Sequence, residues 1–351
     1  MPRPDVRLKN LVKTGQRRCW LGWGAAAALG LWLTGRQART YGHLHPELQT
    51  PLLRLRTPSF TQPLVTIMRR LPTRFPLPSG VQVEARTVPG RSGDPDVPVL
   101  LYRPGQGRPP TAALLYIHGG GFVTGSAAAY HAQCARYATE LGLLVVNVDY
   151  RLAPQTPFPG PLNDCFAALT WLTAQAPALG LNPAQIAVAG DSAGAGLAAA
   201  LAQLAHDEGV PLAFQLLLYP MLDDRTVLRT DHSGRGEFVW TPASNRLGWT
   251  AYLGRAPQWE SAPEYAAPAR REHLAGLAPA WIGAGTLDLF YDEACLYAQR
   301  LRAAGVPCKW DEVEGAYHAS ERFAPAAPVS RAFVARSLEA LRRGLKLEPV
   351  S

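Results

Sequence analysis

Gly190-Asp191-Ser192-Ala193-Gly194 sets a serine between two glycines, directly after the apolar run 186–189 and just before the helix-forming stretch 197–204. Strand, sharp turn and helix in that order hold a side chain exposed at a sheet edge. The helix N-terminus beneath it favours developing negative charge. The flanking glycines suit such a turn, because the backbone folds close to itself and a β-carbon would clash. A serine held this way is a candidate nucleophile, provided a base takes its proton. In a chain with 32 glycines the pentapeptide alone says little; its flanks carry the inference.

A second motif, His118-Gly119-Gly120-Gly121-Phe122, follows the apolar run 112–117. Three glycines after a strand leave backbone N–H groups uncovered and able to converge on one atom, as the alkoxide of a tetrahedral intermediate requires. A further donor is expected from the N–H of Ala193, just past the serine. A phosphate loop would need Gly-Lys-Ser/Thr at fixed spacing, which the chain lacks. His118 is expected to anchor the loop by hydrogen bonds rather than to react.

The base should be a histidine oriented by a carboxylate, in the chain order Ser, Asp or Glu, His. His318 ends the segment Glu-Gly-Ala-Tyr-His after the last strand-like run, whereas His232 and His273 lie in polar, irregular stretches. Asp288 follows the run 280–284 through Gly285-Thr286-Leu287. Asp292 and Glu293 come a turn later, where acids suit the start of a helix. Asp311 and Glu312 lie inside a strand. Ser192, Asp288 and His318 are therefore the candidate catalytic residues.

These residues need a frame. Residues 81–87 alternate like a strand and 97–102 form a short apolar run; further apolar runs at 112–117, 143–148, 186–189, 214–219, 280–284 and 307–313 leave room between them for crossover helices. Continuous rather than alternating apolar runs mark strands buried on both faces. The expected fold is α/β: a mostly parallel, twisted, eight-stranded sheet, opened by an antiparallel pair and covered by helices on both faces. Ligands in such sheets bind beyond the carboxyl ends of the strands, where every motif above falls. Residues 44–80, rich in Pro and Leu, suggest short amphipathic helices broken by Pro51, Pro58, Pro63 and Pro72.

The 351 residues are 47% hydrophobic and 18% charged, which supports a packed core and excludes disorder as the main state. The net charge of +8 is uneven: residues 1–80 carry +11 and the remainder −3. A nucleic-acid partner is excluded on this ground, because the body that would grip phosphates is slightly acidic. Six basic residues precede the uncharged stretch 19–35, which has Trp20 and Trp23 at one end and Trp32 at the other. Three readings of residues 1–43 stay open: a signal anchor, a cleaved export signal, or a helix packed on the domain. The first two place the catalytic domain outside the cytoplasm, the third inside. The five cysteines show neither disulfide nor zinc spacing, so no metal site is expected.

Together these motifs resemble the hormone-sensitive-lipase-like family of α/β-hydrolases, bacterial carboxylesterases related to arylacetamide deacetylase. The resemblance runs from about residue 46 to the final helix. It includes Asp149-Tyr-Arg-Leu-Ala-Pro154 with Phe158-Pro159, and Tyr219-Pro220, besides the motifs around Ser192, His118, Asp288 and His318. It implies hydrolysis of short- to medium-chain carboxylic esters through an acyl-enzyme, without metal or organic cofactor. It also implies Gly120, Gly121 and Ala193 as oxyanion donors, supported by His118, Gly119, Gly190, Asp191 and Gly194. Residues 44–80 and an insertion at about 224–252 would form a cap on the catalytic domain, 81–351. Gln155 stands where the family usually has Glu, which implies a lost ion pair. A longer-chain lipase, an amidase or deacetylase, and a non-catalytic receptor remain as alternatives. A homodimer is left open.

Overall fold

The computed structural model describes residues 40–348, apart from 56, 71–74 and 92. The apolar stretch 19–35 lies outside the described residues. Among those described, no helix is long and apolar enough to cross a membrane.

Eight strands form one sheet: β1 Val81–Val88, β2 Val97–Pro104, β3 Ala113–Ile117, β4 Leu144–Val148, β5 Ile186–Asp191, β6 Phe214–Leu218, β7 Ala280–Gly285 and β8 Cys308–Val313. Their order is β1-β2-β4-β3-β5-β6-β7-β8. β1 and β2 pair antiparallel, β2 pairs antiparallel with β4, and the rest of the sheet is parallel. The expected eight-stranded sheet opened by an antiparallel pair is therefore the observed one. β3 to β7 are buried at every position, as their continuous apolar runs predict.

Helices α2 His131–Leu141, α3 Gly160–Gln175, α4 Ala193–Asp207, α6 Tyr291–Ala303 and α8 Pro328–Gly344 cover the sheet, with the single turn α7 Ser320–Phe323 leading into α8. On one face α3 packs against α4, and Gln203 of α4 donates to the Tyr297 hydroxyl of α6 at 3.1 Å. α2 and α8 meet on the other face. α4 is buried from Ala193 through Ala205, and its alanines and glycines let it lie close against β5 and β6.

The register brings Ile117, Gly190, Asp191 and Leu218 into line, and pairs Gly285 with Val313. The loops that follow β3, β5, β6, β7 and β8 thus open along one edge. That edge carries all the candidate residues.

Before the sheet, two 3-10 turns, Pro46–Leu48 and Pro51–Arg54, lead to α1, Gln62–Arg70. Pro63 does not break this segment, as its sequence suggested. It lies in the first turn of α1, where the missing N–H has no intrahelical acceptor to lose. The insertion after β6 holds a 3-10 turn, Asp224–Leu228, and α5, Pro242–Leu253. The two segments touch. Ser59 shares a hydroxyl hydrogen bond of 2.8 Å with Thr241, and the Phe60 N–H donates to Ser244 Oγ at 2.9 Å.

Candidate active site

β5 passes into α4 through Ser192 alone. Ser192 has φ 56° and ψ −123°, a strained conformation for a residue with a side chain, and it caps the N-terminus of α4. Space explains the motif's glycines. A β-carbon on Gly190 would fall 2.5 Å from the Gly194 carbonyl oxygen, and one on Gly194 would fall 2.1 Å from that of Ile117. Gly196, one turn into α4, is equally confined: its β-carbon would meet the Met221 carbonyl oxygen at 2.1 Å.

His318 stands in the loop after β8, with Nε2 2.9 Å from Ser192 Oγ and Nδ1 2.8 Å from Asp288 Oδ2. An Nδ1–H donating to the carboxylate leaves the Nε2 lone pair free to accept from the serine hydroxyl. The second carboxylate oxygen of Asp288 accepts the Phe290 N–H at 2.9 Å, which fixes its rotation. The edges of Tyr219 and Phe290 pack against the imidazole at centroid distances of 4.9 and 5.3 Å. All three polar side chains are buried. His232 and His273 do not join this group. His206, a further histidine downstream of Ser192 that the sequence reading did not weigh, sits in the last turn of α4, about 20 Å of helix away.

The glycine loop lies beside the serine. Gly119 already spends its N–H on Asp191 Oδ1 (3.0 Å) and the Tyr130 hydroxyl (3.1 Å). Gly120 and Gly121 have φ of 130° and 61°, and their N–H groups meet no protein acceptor among the described residues. Neither does that of Ala193, the first residue of α4, whose N–H precedes the first helical acceptor. Three unpaired donors thus adjoin Ser192, at the positions the resemblance implied.

His118 occupies the anchoring place expected of it. Its Nδ1–H donates to the Gly119 carbonyl at 2.8 Å, and its ring stacks on Tyr150 at 4.3 Å. The Tyr150 hydroxyl donates to the His118 carbonyl at 2.9 Å. Burial pushes the His118 pKa down, which keeps the ring neutral. Asp191 is a buried hub: it also accepts from Tyr116 (3.1 Å) and Tyr130 (3.0 Å), and lies 3.6 Å from Arg322.

Several supporting residues went unseen in the sequence. Buried Glu321 accepts from the hydroxyl of Tyr219, the ring behind His318, and burial pushes its carboxyl above the ordinary range. Glu293, expected only to begin α6, is buried. It accepts the N–H groups of Leu222 (2.7 Å) and Asp223 (3.3 Å) and the Thr226 hydroxyl, tying down the chain after β6. Gln155 does not leave a void where the family carries Glu, because it accepts from Arg69 of α1. Arg69 also donates to the carbonyls of Val123 (2.7 Å) and Ala153. None of these has a local motif; each acts across a long sequence separation.

A hydroxyl, an imidazole, a carboxylate and three free N–H donors in this arrangement can carry out acyl transfer. A family model described as alpha/beta hydrolase fold matches residues 114–322. Carboxylesterase NlhH of Mycobacterium tuberculosis is 36% identical over 281 residues, 79% of this chain and 88% of that protein. An ethyl acetate hydrolase of Pseudomonas putida is 36% identical over 238 residues, 63% of this chain and 70% of that protein. Among solved structures, a bacterial heroin esterase superposes with a TM-score of 0.78 at 39% identity, covering 87% of this chain and 99% of the other. On these grounds the chain belongs to the α/β-hydrolase fold family, in its hormone-sensitive-lipase-like branch.

Proposed function

We propose that this protein is a serine carboxylesterase that cleaves carboxylic esters through an acyl-enzyme on Ser192. The continuous hydrogen-bond chain from Ser192 through His318 to Asp288, beside three unpaired N–H groups, carries the reading. Ser192 Oγ attacks the ester carbonyl as its proton passes to His318 Nε2. Asp288 holds the imidazole in the tautomer that can accept, and stabilises the imidazolium that forms. The carbonyl oxygen becomes an alkoxide facing Gly120, Gly121 and Ala193. Collapse of the tetrahedral intermediate expels the alcohol, which takes the proton from His318. Water, deprotonated by the same imidazole, then releases the acid and restores Ser192.

Relatives named carboxylesterase, ethyl acetate hydrolase and heroin esterase support small esters over long-chain lipids or amides. Steady-state hydrolysis of p-nitrophenyl acetate tests the assignment: Ser192→Ala should lower kcat by about 10⁶. Near-wild-type turnover in that variant would sink it. Residues 19–35 with their basic flank are proposed to attach the enzyme to a membrane, with the catalytic body outside the cytoplasm.

A further inference from the structure

A single indole bounds the space over the glycine loop. Trp240, from the insertion after β6, lies directly on Gly121: a β-carbon there would fall 2.1 Å from Trp240 Cη2. The ring centroid is 6.3 Å from that of His318. Trp240 is only 4% exposed and is held from several sides. Phe60 packs on it at 5.5 Å, and its Nε1–H points to Asn245 Oδ1 at 3.4 Å. Gly248 of α5 lets the helix pass close to the Gly121 carbonyl, beside the ring. A β-carbon at 248 would lie 3.5 Å from Trp240 Cζ2 and 2.7 Å from the Gly121 carbonyl oxygen. The bonds from Ser59 and Phe60 to Thr241 and Ser244 lock the adjoining backbone. So many neighbours make the ring a fixed wall.

The tetrahedral carbon on Ser192 Oγ has three further arms. The oxyanion points to Gly120, Gly121 and Ala193. The alkoxy oxygen must lie within hydrogen-bond reach of His318 Nε2 to receive its proton. The acyl carbon takes the remaining direction. The alcohol arm is held at His318 Nε2 by the proton transfer, whereas Trp240, 6.3 Å from the imidazole centroid to centroid, covers Gly121 of the oxyanion loop. The acyl arm is left to run beneath it.

We propose that Trp240 is a specificity-determining residue that caps the length of the acyl group. The inference rests on the esterase reading above. In an apolar pocket one methylene changes kcat/KM by about 10- to 200-fold, so removing a wall should be plainly visible.

The test compares p-nitrophenyl acetate, butyrate, octanoate and decanoate across wild type, Trp240→Leu, Trp240→Phe and Ser192→Ala. The octanoate-to-acetate ratio of kcat/KM should rise about tenfold or more in Trp240→Leu, and by less in Trp240→Phe. In a series of acetate esters with lengthening alcohols, the ratios should stay as in wild type. Trp240→Phe retains a ring at the site and keeps the test open if the leucine variant fails to fold. Unchanged acyl ratios in both variants overturn the proposal, as does a shift confined to the alcohol series. Full activity in Ser192→Ala, or no ester cleavage by wild type, overturns the esterase reading instead.

Discussion

The Ser192 hydroxyl, the His318 imidazole and the Asp288 carboxylate come from three loops, yet each was legible on its own. Each follows an apolar run closely, so strand end and chemistry were read in one short window. Of the residues that hold them, the motifs name His118 and Asp191 but not the groups they bind, because a buried polar group reveals its role only through its partners. Asp191 gathers Tyr116 and Gly119 from the end of β3, together with Tyr130 and Arg322, from three separate segments, and no local spacing encodes that. Glu293 shows the energetic side of such burial. Desolvation raises its carboxyl well above the ordinary glutamate range, against the hydrogen bonds it accepts. The native state therefore holds a proton that the unfolded chain releases. That contribution to stability is complete below the ordinary glutamate pKa and is lost as pH rises through the folded one. The slope reaches at most about 1.4 kcal/mol per pH unit. Melting curves of Glu293→Gln between about pH 4 and pH 8 should accordingly be flatter than those of wild type. Parallel curves would show that Glu293 stays charged in the fold.

At the scale of elements, the strands were readable and the packing of the segment before the sheet was not. β3 to β7 are buried on both faces, so their apolar runs leave little choice of structure. Residues 44–80 instead fold against distant partners, and Pro63 starts a helix that its presence had seemed to interrupt. The placing of α4 depends on small residues in the same way. Gly196 passes the chain after β6 with no room for a methyl group, one turn beyond the nucleophile. Gly196→Ala should cost about 1–3 kcal/mol in urea denaturation by overpacking. It should also lower kcat, because relief requires α4 and Ser192 to move. Unaltered stability would mean that the close approach to Met221 is soft.

Across the whole molecule, the basic balance belongs to residues 1–80, and residues 81–351 are slightly acidic. The first described residues already serve the site. The His45 N–H donates to the Gly315 carbonyl at 2.9 Å, three residues before His318, and Leu44 and Leu48 are buried in the core. Glu47 accepts the Val329 N–H at 2.7 Å in the first turn of α8. On the membrane attachment proposed above, removing residues 1–39 should leave esterase activity intact while shifting it from the membrane to the soluble fraction. Removing residues 1–48 should abolish it, since each lost core leucine costs about 2–5 kcal/mol. Equal activity in both truncations would show that this segment does not support the histidine loop. Everything turns on Ser192 being the nucleophile. Peptide mass spectrometry after treatment with an organophosphate ester reads this directly. One adduct per chain on the peptide carrying Ser192, formed in step with loss of activity, is the predicted result. An inactivated enzyme with Ser192 unmodified would contradict it.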